Sequence, residues 1–315
     1  MSNRWPAESA QVCDGQPSAA AVEEVAPILA DLGAITVRRL LPRRVRRLVG
    51  PWCFLDVFGP VKQAGLKPMD VPPHPHIGLQ TVTWLLEGEI VHDDSLGFEA
   101  VARPGTVNVM TAGEGVAHAE QTPKQNSGQL SGVQLWVALP DPVRNGAADF
   151  QHVTETPTVT LHGGMAQVFA GTLGGVVSPA IHHTPIAGAD LRIHQGERLS
   201  FDVDASFEHA ALLLEGDAES EGTPLAPHVL YYFGTGRTEV AFSSPKGARL
   251  LFIGGPPFPE TILMWWNFVA RTPEEIARAR TDWEAGLRFG PVKGYDGASI
   301  PAPPLAKFAR PNPVS

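Results

Sequence analysis

The sequence is poor in cysteine, in positive charge and in long apolar stretches. Two cysteines, Cys13 and Cys53, stand among 315 residues. Two cannot build a disulfide framework, and their spacing matches no zinc motif. No apolar run approaches the ~18 residues of a membrane span. Glu23 and Glu24 divide Ala19–Val22 from Val25–Leu29, so the first thirty residues lack the basic start and apolar stretch of a signal peptide. A reducing, cytoplasmic location is therefore expected. Lysine and arginine number 24 against 33 acidic residues, a net charge of −9. Nucleic-acid binders need a positive surface to release phosphate counterions, so direct nucleic-acid binding is not expected. One segregation stands out: Arg38, Arg39, Arg43, Arg44, Arg46 and Arg47 fall within ten residues. An anion-binding or partner face competes there with a solvated strand edge, because Leu40, Leu41, Val45 and Leu48 are interleaved; the edge is the favoured reading, and charge on an edge opposes strand-to-strand aggregation.

Glycine and proline are abundant, 32 and 30 residues. Their share lies between the ~12% of an average protein and the ~25–30% where low-complexity disorder begins. This describes a folded chain with many turns and few long helices. Hydrophobic residues make up 43%, enough for a sizeable core. At roughly 100–200 residues per domain the length suggests two domains, with one as the fallback.

Short apolar or alternating runs recur after Gly33, each bounded by Gly, Pro, Asn or Asp. They include Ala34–Leu40, Trp52–Val57, Thr81–Leu86, Thr106–Thr111 and Gly132–Ala138, then Ala166–Ala170, Arg198–Val203, Ala210–Leu214, Val229–Phe233 and Arg249–Ile253. The pattern predicts an all-β sandwich or barrel. Residues 1–33 read as a polar, alanine-rich tail with some helix at Ala21–Leu32. One helix is signalled near the end. Thr272-Pro273-Glu274-Glu275 places a capping threonine, a proline at the first helical position and a glutamate three residues after the cap. Ile276, Ala279, Trp283 and Leu287 follow at helical spacing and should form its buried face. Residues 290–315 read as an irregular tail.

An internal repeat is visible. Leu85-Leu86-Glu87-Gly88-Glu89 recurs as Leu213-Leu214-Glu215-Gly216-Asp217, 128 residues later, and each is followed by a Gly-x-Gly turn, Gly113-Glu114-Gly115 and Gly234-Thr235-Gly236. Two related β domains are expected, with a boundary near residues 141–157. The resulting division is a tail at 1–33, domains at 34–145 and 146–270, and the helix with an irregular tail at 271–315.

The strongest constellation for chemistry is Pro73-His74-Pro75-His76 followed by His118-Ala119-Glu120. Side chains two apart on a strand share a face, so His74 pairs with His76 and His118 with Glu120. If the segments are neighbours and point inward, three imidazoles and a carboxylate converge on a site for a borderline divalent metal with open positions, a pattern that favours iron(II) oxygen chemistry. The plain alternative is solvated loop histidines in a proline-rich turn. His92, Asp93 and Asp94 could orient a ligand or form a polar turn. Gln134 could point inward near the metal. Trp84, Met110 and Trp136 could line a pocket or be plain core. Adjacent His182 and His183 face opposite ways and read as surface, as does Glu114.

Three segments resemble the pirin family of the cupin superfamily. They are Pro73-His74-Pro75-His76-Ile77-Gly78-Leu79-Gln80-Thr81-Val82-Thr83-Trp84, Met110-Thr111-Ala112-Gly113-Glu114-Gly115-Val116-Ala117-His118-Ala119-Glu120 and Gly132-Val133-Gln134-Leu135-Trp136. Trp265-Trp266-Asn267-Phe268 and Pro301-Ala302-Pro303-Pro304-Leu305 are similar to bacterial members. The resemblance implies two tandem cupin barrels with one mononuclear metal in the first. Iron is the expected metal, with nickel, copper, manganese and zinc as alternatives. The family's ligands fall on His74, His76, His118 and Glu120. Gln80 stands where ordinary cupins place a glutamate, and the pirin pattern takes its carboxylate from the position of Glu120 instead. In the second half the corresponding positions are Asp202, Asp204, Glu239 and Ala241, so that barrel is expected to be metal-free. The implied functions are a dioxygenase opening flavonols such as quercetin, with Glu120 as general base, or a redox-sensing regulator acting through a protein partner. A small aromatic substrate and a monomeric state are expected.

Overall fold

In the computed structural model, residues 11–13, 22–31, 35–62 and 69–305 are described. They form two tandem β barrels, each built from a large and a small antiparallel sheet, with one helix near the C-terminus. The large sheet of the first barrel has seven strands. Its centre runs Val107–Thr111, Leu79–Glu87, Gln129–Ala138, Trp52–Lys62. The small sheet runs Asp70–His76, Val116–Gln121, Ile90–Asp94, Glu99–Ala102. In the second barrel the large sheet centres on Ala187–Ile193, Ala248–Gly255, Glu208–Gly216 and Leu230–Gly234, opposite a small sheet containing Arg198–Asp202 and Glu239–Ser243.

The large sheets are buried on both faces, so their strands read as continuous apolar runs rather than alternating ones. One face of Leu79–Glu87 and Gln129–Ala138 looks into the first barrel, where Leu79, Met110, Trp136 and Phe150 pack together. The other face carries Val82, Trp84, Val133 and Leu135 into a core shared with Phe169, Leu212 and Ile253 of the second barrel. Trp84 therefore belongs to the junction between barrels, where its indole N–H donates to Asp190 at 3.1 Å.

The internal repeat has a structural cause. Gly88 and Gly216 close equivalent central strands with φ of 87° and 80°. A Cβ would lie 2.1 Å from the Gln129 carbonyl oxygen in one and 2.3 Å from that of Gly247 in the other. Only glycine meets both demands.

Residues 22–31 do not form the helix expected at Ala21–Leu32. Glu23–Val25 adds a strand to the second barrel beside Leu230–Tyr232, and Ile28–Asp31 adds one to the first beside Thr36–Arg39. Residues 1–10 and 14–21, part of the expected tail, lie outside the described residues, as do 306–315. The arginine cluster is not a single solvated edge. Arg39 is buried, donating two hydrogen bonds to Asp56 at 2.9 and 2.8 Å. Arg46 pairs with Glu23 at 2.8 Å and covers the Tyr232 ring at 3.6 Å, which fixes the strand joining the barrels.

The helix spans Pro273–Glu284, with both arms of the capping box made by Thr272 and Glu275. Ile276 and Ala279 bury its inner face against Trp265, Trp266 and Phe268. Leu287 falls beyond the helix end and is 60% exposed, so it is not part of that face. Residues 290–305 are irregular, and they strap the first barrel: Ile300 donates to the Pro73 carbonyl at 2.9 Å and the Tyr295 hydroxyl to Asp70 at 3.0 Å. Among the described residues no helix is long and apolar enough to cross a membrane.

Candidate metal centre

Two neighbouring strands of the small sheet bring the histidines together. Asp70–His76 and Val116–Gln121 run antiparallel with His74 opposite His118 and His76 opposite Val116. Pro72, Pro73 and Pro75 lack the backbone donor a central strand needs, and they are tolerated because this strand is the edge of its sheet. The ligating nitrogens of His74, His76 and His118 all lie within 4.8 Å of one another, and all three residues are buried. Glu120 is buried two positions beyond His118, past a register shift in the ladder, and is not one of this tight group.

The hydrogen bonds behind the rings decide their tautomers. A carbonyl oxygen only accepts, so His74 Nδ1–H donates to Pro72 at 2.8 Å and His76 Nδ1–H to Asn267 at 3.1 Å. Behind His118 stands His92, with the two Nδ1 atoms 3.3 Å apart and His92 Nε2 3.1 Å from Asp94 Oδ2. The other carboxylate oxygen of Asp94 accepts the backbone N–H of Leu96, Gly97 and Phe98, each at 2.9 Å. Asp94 Oδ2 thus accepts a hydrogen bond from His92 Nε2–H, which leaves His92 Nδ1 an acceptor to which His118 Nδ1–H donates. Each of the three rings then turns an Nε2 lone pair toward the others.

Two of these lone pairs face each other at close range: His76 Nε2 and His118 Nε2 are 3.1 Å apart. With no proton between them the arrangement is repulsive, and a cation resolves it. Nitrogens each about 2.1 Å from one ion at right angles would be about 3.0 Å apart, so the spacing fits a shared metal. Burial, first of all, and then the neighbouring imidazoles push His76 and His118 well below the ordinary histidine range. Both rings are therefore neutral at pH 7, the form that ligates.

The remaining candidates separate clearly. His92 and Asp94 are part of the site, and Phe150 holds His92 by stacking at 4.1 Å. Asp93 is buried nearby and its carboxyl is pushed up by burial. Gln134 is buried inside the first barrel and accepts from Thr83 at 2.9 Å. Trp136 sits edge-on to His76 with ring centres 5.3 Å apart. Gln80 points away from the cluster, donating to Thr111 at 2.9 Å and to the Ile181 carbonyl at 3.2 Å. His183 and Glu114 are exposed, but His182 is not a surface residue: it is half-buried with Nδ1 3.0 Å from Gln80 Oε1. Asp202 and Asp204 are exposed in the second barrel. Sequence reasoning passed over Asn267 and Pro72 because their contribution is a backbone carbonyl, which no side-chain pattern reveals.

The pirin family model matches residues 34–137, and the model of the pirin C-terminal cupin domain matches residues 188–290. The chain belongs to the pirin family. Its two barrels are tandem cupin domains. A Pseudomonas aeruginosa protein named "Putative quercetin 2,3-dioxygenase" is 44% identical to this pirin over 275 residues, 87% of each chain. A pirin-like protein of Caulobacter vibrioides is 36% identical over 87% of this chain and 96% of its own. The crystal structure of a quercetin 2,3-dioxygenase from Acinetobacter baumannii superposes with a TM-score of 0.87 at 40% identity, covering 92% of this chain and 97% of that one. An Escherichia coli pirin solved in complex with nickel(II) shares the pirin fold, with a TM-score of 0.60 at 15% identity over 75% of this chain and all of its own.

Proposed function

We propose that this pirin is a mononuclear metal enzyme that opens small aromatic hydroxy ketones of the flavonol type with molecular oxygen. The observation that supports the reading is the trio of buried imidazoles, His74, His76 and His118, each with a candidate ligand nitrogen within 4.8 Å of the others. Likeness to proteins named for quercetin 2,3-dioxygenase supports the substrate class. His74, His76 and His118 would hold the ion and Glu120 would supply the fourth ligand, with iron as the metal that suits three nitrogens, a carboxylate and open positions. When bound, such an ion gathers substrate oxygens and dioxygen at close range. The chain's own residues do the rest. Glu120 takes the flavonol hydroxyl proton on its carboxylate as general base. Trp136, fixed by stacking on Phe54 at 4.0 Å, and Met110 supply apolar walls that keep bulk water from the reacting face. Asp94 and His92 keep the His118 proton on Nδ1. Arg39 and Arg46 are engaged in internal pairs and so are withdrawn from the arginine face that the regulatory alternative would use.

Protein purified without a histidine tag, analysed for metals and then assayed for oxygen uptake with quercetin, tests the proposal. About one equivalent of iron and uptake abolished by His118→Ala are expected. Absence of turnover across a flavonol panel with fully loaded protein would remove the enzymatic reading.

A further inference from the structure

The second barrel contains a cavity of about 460 Å3, within the roughly 300–1,000 Å3 range of small-molecule sites. It is lined by Leu173, Ala180, Ile186, Phe207 and Phe252 and by two histidines, His182 and His209. Its origin is legible in the strand registers. By the 128-residue repeat His209 corresponds to Thr81. Thr81 stands opposite Met110 and Trp136 on its two neighbouring strands, so large side chains fill that level of the first barrel. His209 stands opposite Gly234 and Gly254. The glycines leave the level open, and the imidazole lies across Gly254, where a Cβ would come within 2.8 Å of His209 Cδ2.

The polar atoms of this cavity are not consumed by the fold. His209 is 1% exposed, yet its Nδ1 has no hydrogen-bond partner. Burying such a group without a partner costs stability, and unsatisfied groups of this kind in a native structure call for an explanation. His182 Nε2 is likewise buried without a partner. Its tautomer is fixed from behind. Gln80 Nε2 is committed to the Thr111 hydroxyl and the Ile181 carbonyl, so Gln80 Oε1 must accept from His182 Nδ1–H at 3.0 Å. His182 Nε2 is therefore a lone-pair acceptor. Flat faces accompany it: His209 stacks on Phe252 at 5.7 Å with an interplanar angle of 19°, and Phe207 lies 6.2 Å away.

We propose that this cavity is a second binding site, independent of the metal centre, for a neutral aromatic molecule bearing a hydroxyl group, whose ring packs among Phe207, His209 and Phe252 and whose O–H donates to His182 Nε2. Neutrality follows from the walls. Burial pushes both histidines down to about 4, so neither offers a positive charge at pH 7. Asp202 and Asp204, both exposed on the cavity lining, repel an anion.

Titration calorimetry of the full chain with 2-naphthol, using 2-naphthoate as the anionic comparator, tests the proposal. One molecule of 2-naphthol should bind, more tightly than 2-naphthoate, with the same affinity in chelator-treated protein. His182→Phe should weaken it roughly five- to tenfold by removing one hydrogen bond, and His182→Gln should recover most of the loss. Val177→Trp, at a lining position whose side chain is 65% exposed, should block entry and weaken binding at least about tenfold. No binding of 2-naphthol at millimolar concentration would overturn the proposal. So would binding that is lost with the metal, or binding unchanged in both His182→Phe and Val177→Trp.

Discussion

Replacing Asp94 with asparagine should damage the metal centre without touching a proposed ligand. Asp94 Oδ1 accepts three backbone N–H groups at 2.9 Å, so the single oxygen of an asparagine would stay there. Its amide NH2 would then face His92 Nε2, donor against donor. Imidazole has one proton to place, and His92 would move it to Nδ1. That atom is 3.3 Å from His118 Nδ1, which would have to become the acceptor and send its own proton to Nε2. His118 would present an N–H where a lone pair is needed. Loss of a partner behind a ligating histidine typically lowers metal affinity about 10–100-fold, or roughly 1.4–2.8 kcal/mol. Anaerobic titration with Fe(II), repeated with Co(II), measures this directly, with circular dichroism as the check on folding and His118→Ala as the reference for loss of a ligand. Asp94→Asn binding within about twofold of the wild type, with the fold intact, would refute the tautomer chain. Failure of the wild type itself to bind would instead refute the metal reading.

Three further outcomes are expected. His209 has its value pushed down to about 4 from the ordinary 6.5, so between those pH values the unfolded chain binds a proton that the fold does not. Stability should be complete above pH 6.5 and fall as the pH drops toward 4, by about 3 kcal/mol in all, and His209→Phe should flatten that part of a urea-midpoint profile; an unchanged profile would refute the assignment. Gly88→Ala should destabilise by at least about 1–3 kcal/mol, since it combines a strained φ of 87° with the 2.1 Å approach to Gln129; thermal unfolding within a degree of wild type would exclude that strain. Thr272→Ala should remove one arm of the capping box and about 1 kcal/mol, read as a lowered denaturation midpoint.

The sequence was most informative where one local rule dominates. The capping box needs only four consecutive residues, and Thr272 to Glu275 form it as expected. The alternation of His74 with His76 placed both imidazoles on one face because a strand's period admits no other answer. What stayed hidden depends on partners far along the chain. Arg39 and Arg46 look like surface charges until Asp56 and Glu23 arrive beside them. His182 looks exposed until the barrels dock and Gln80 reaches it. Glu23–Val25 is a strand only because Leu230–Tyr232 offers a free edge, a tertiary circumstance that overrides its local propensity. The alternation around Gln134 left its facing open, and whether Trp84 faced the site or the other barrel likewise required the registers of both large sheets.

The segment from Glu23 to Asp31 works as a stitch. Within nine residues the chain completes an edge of one barrel and then an edge of the other. Together with the apolar layer running from Trp84 to Phe169, this joins the two halves through one shared core. Cutting the gene between the barrels would therefore not yield two working modules: the second half would lose its outermost strand to the first, and each would present a raw apolar wall to water. Any attempt to graft the histidine centre elsewhere has to carry its companion barrel along as scaffolding.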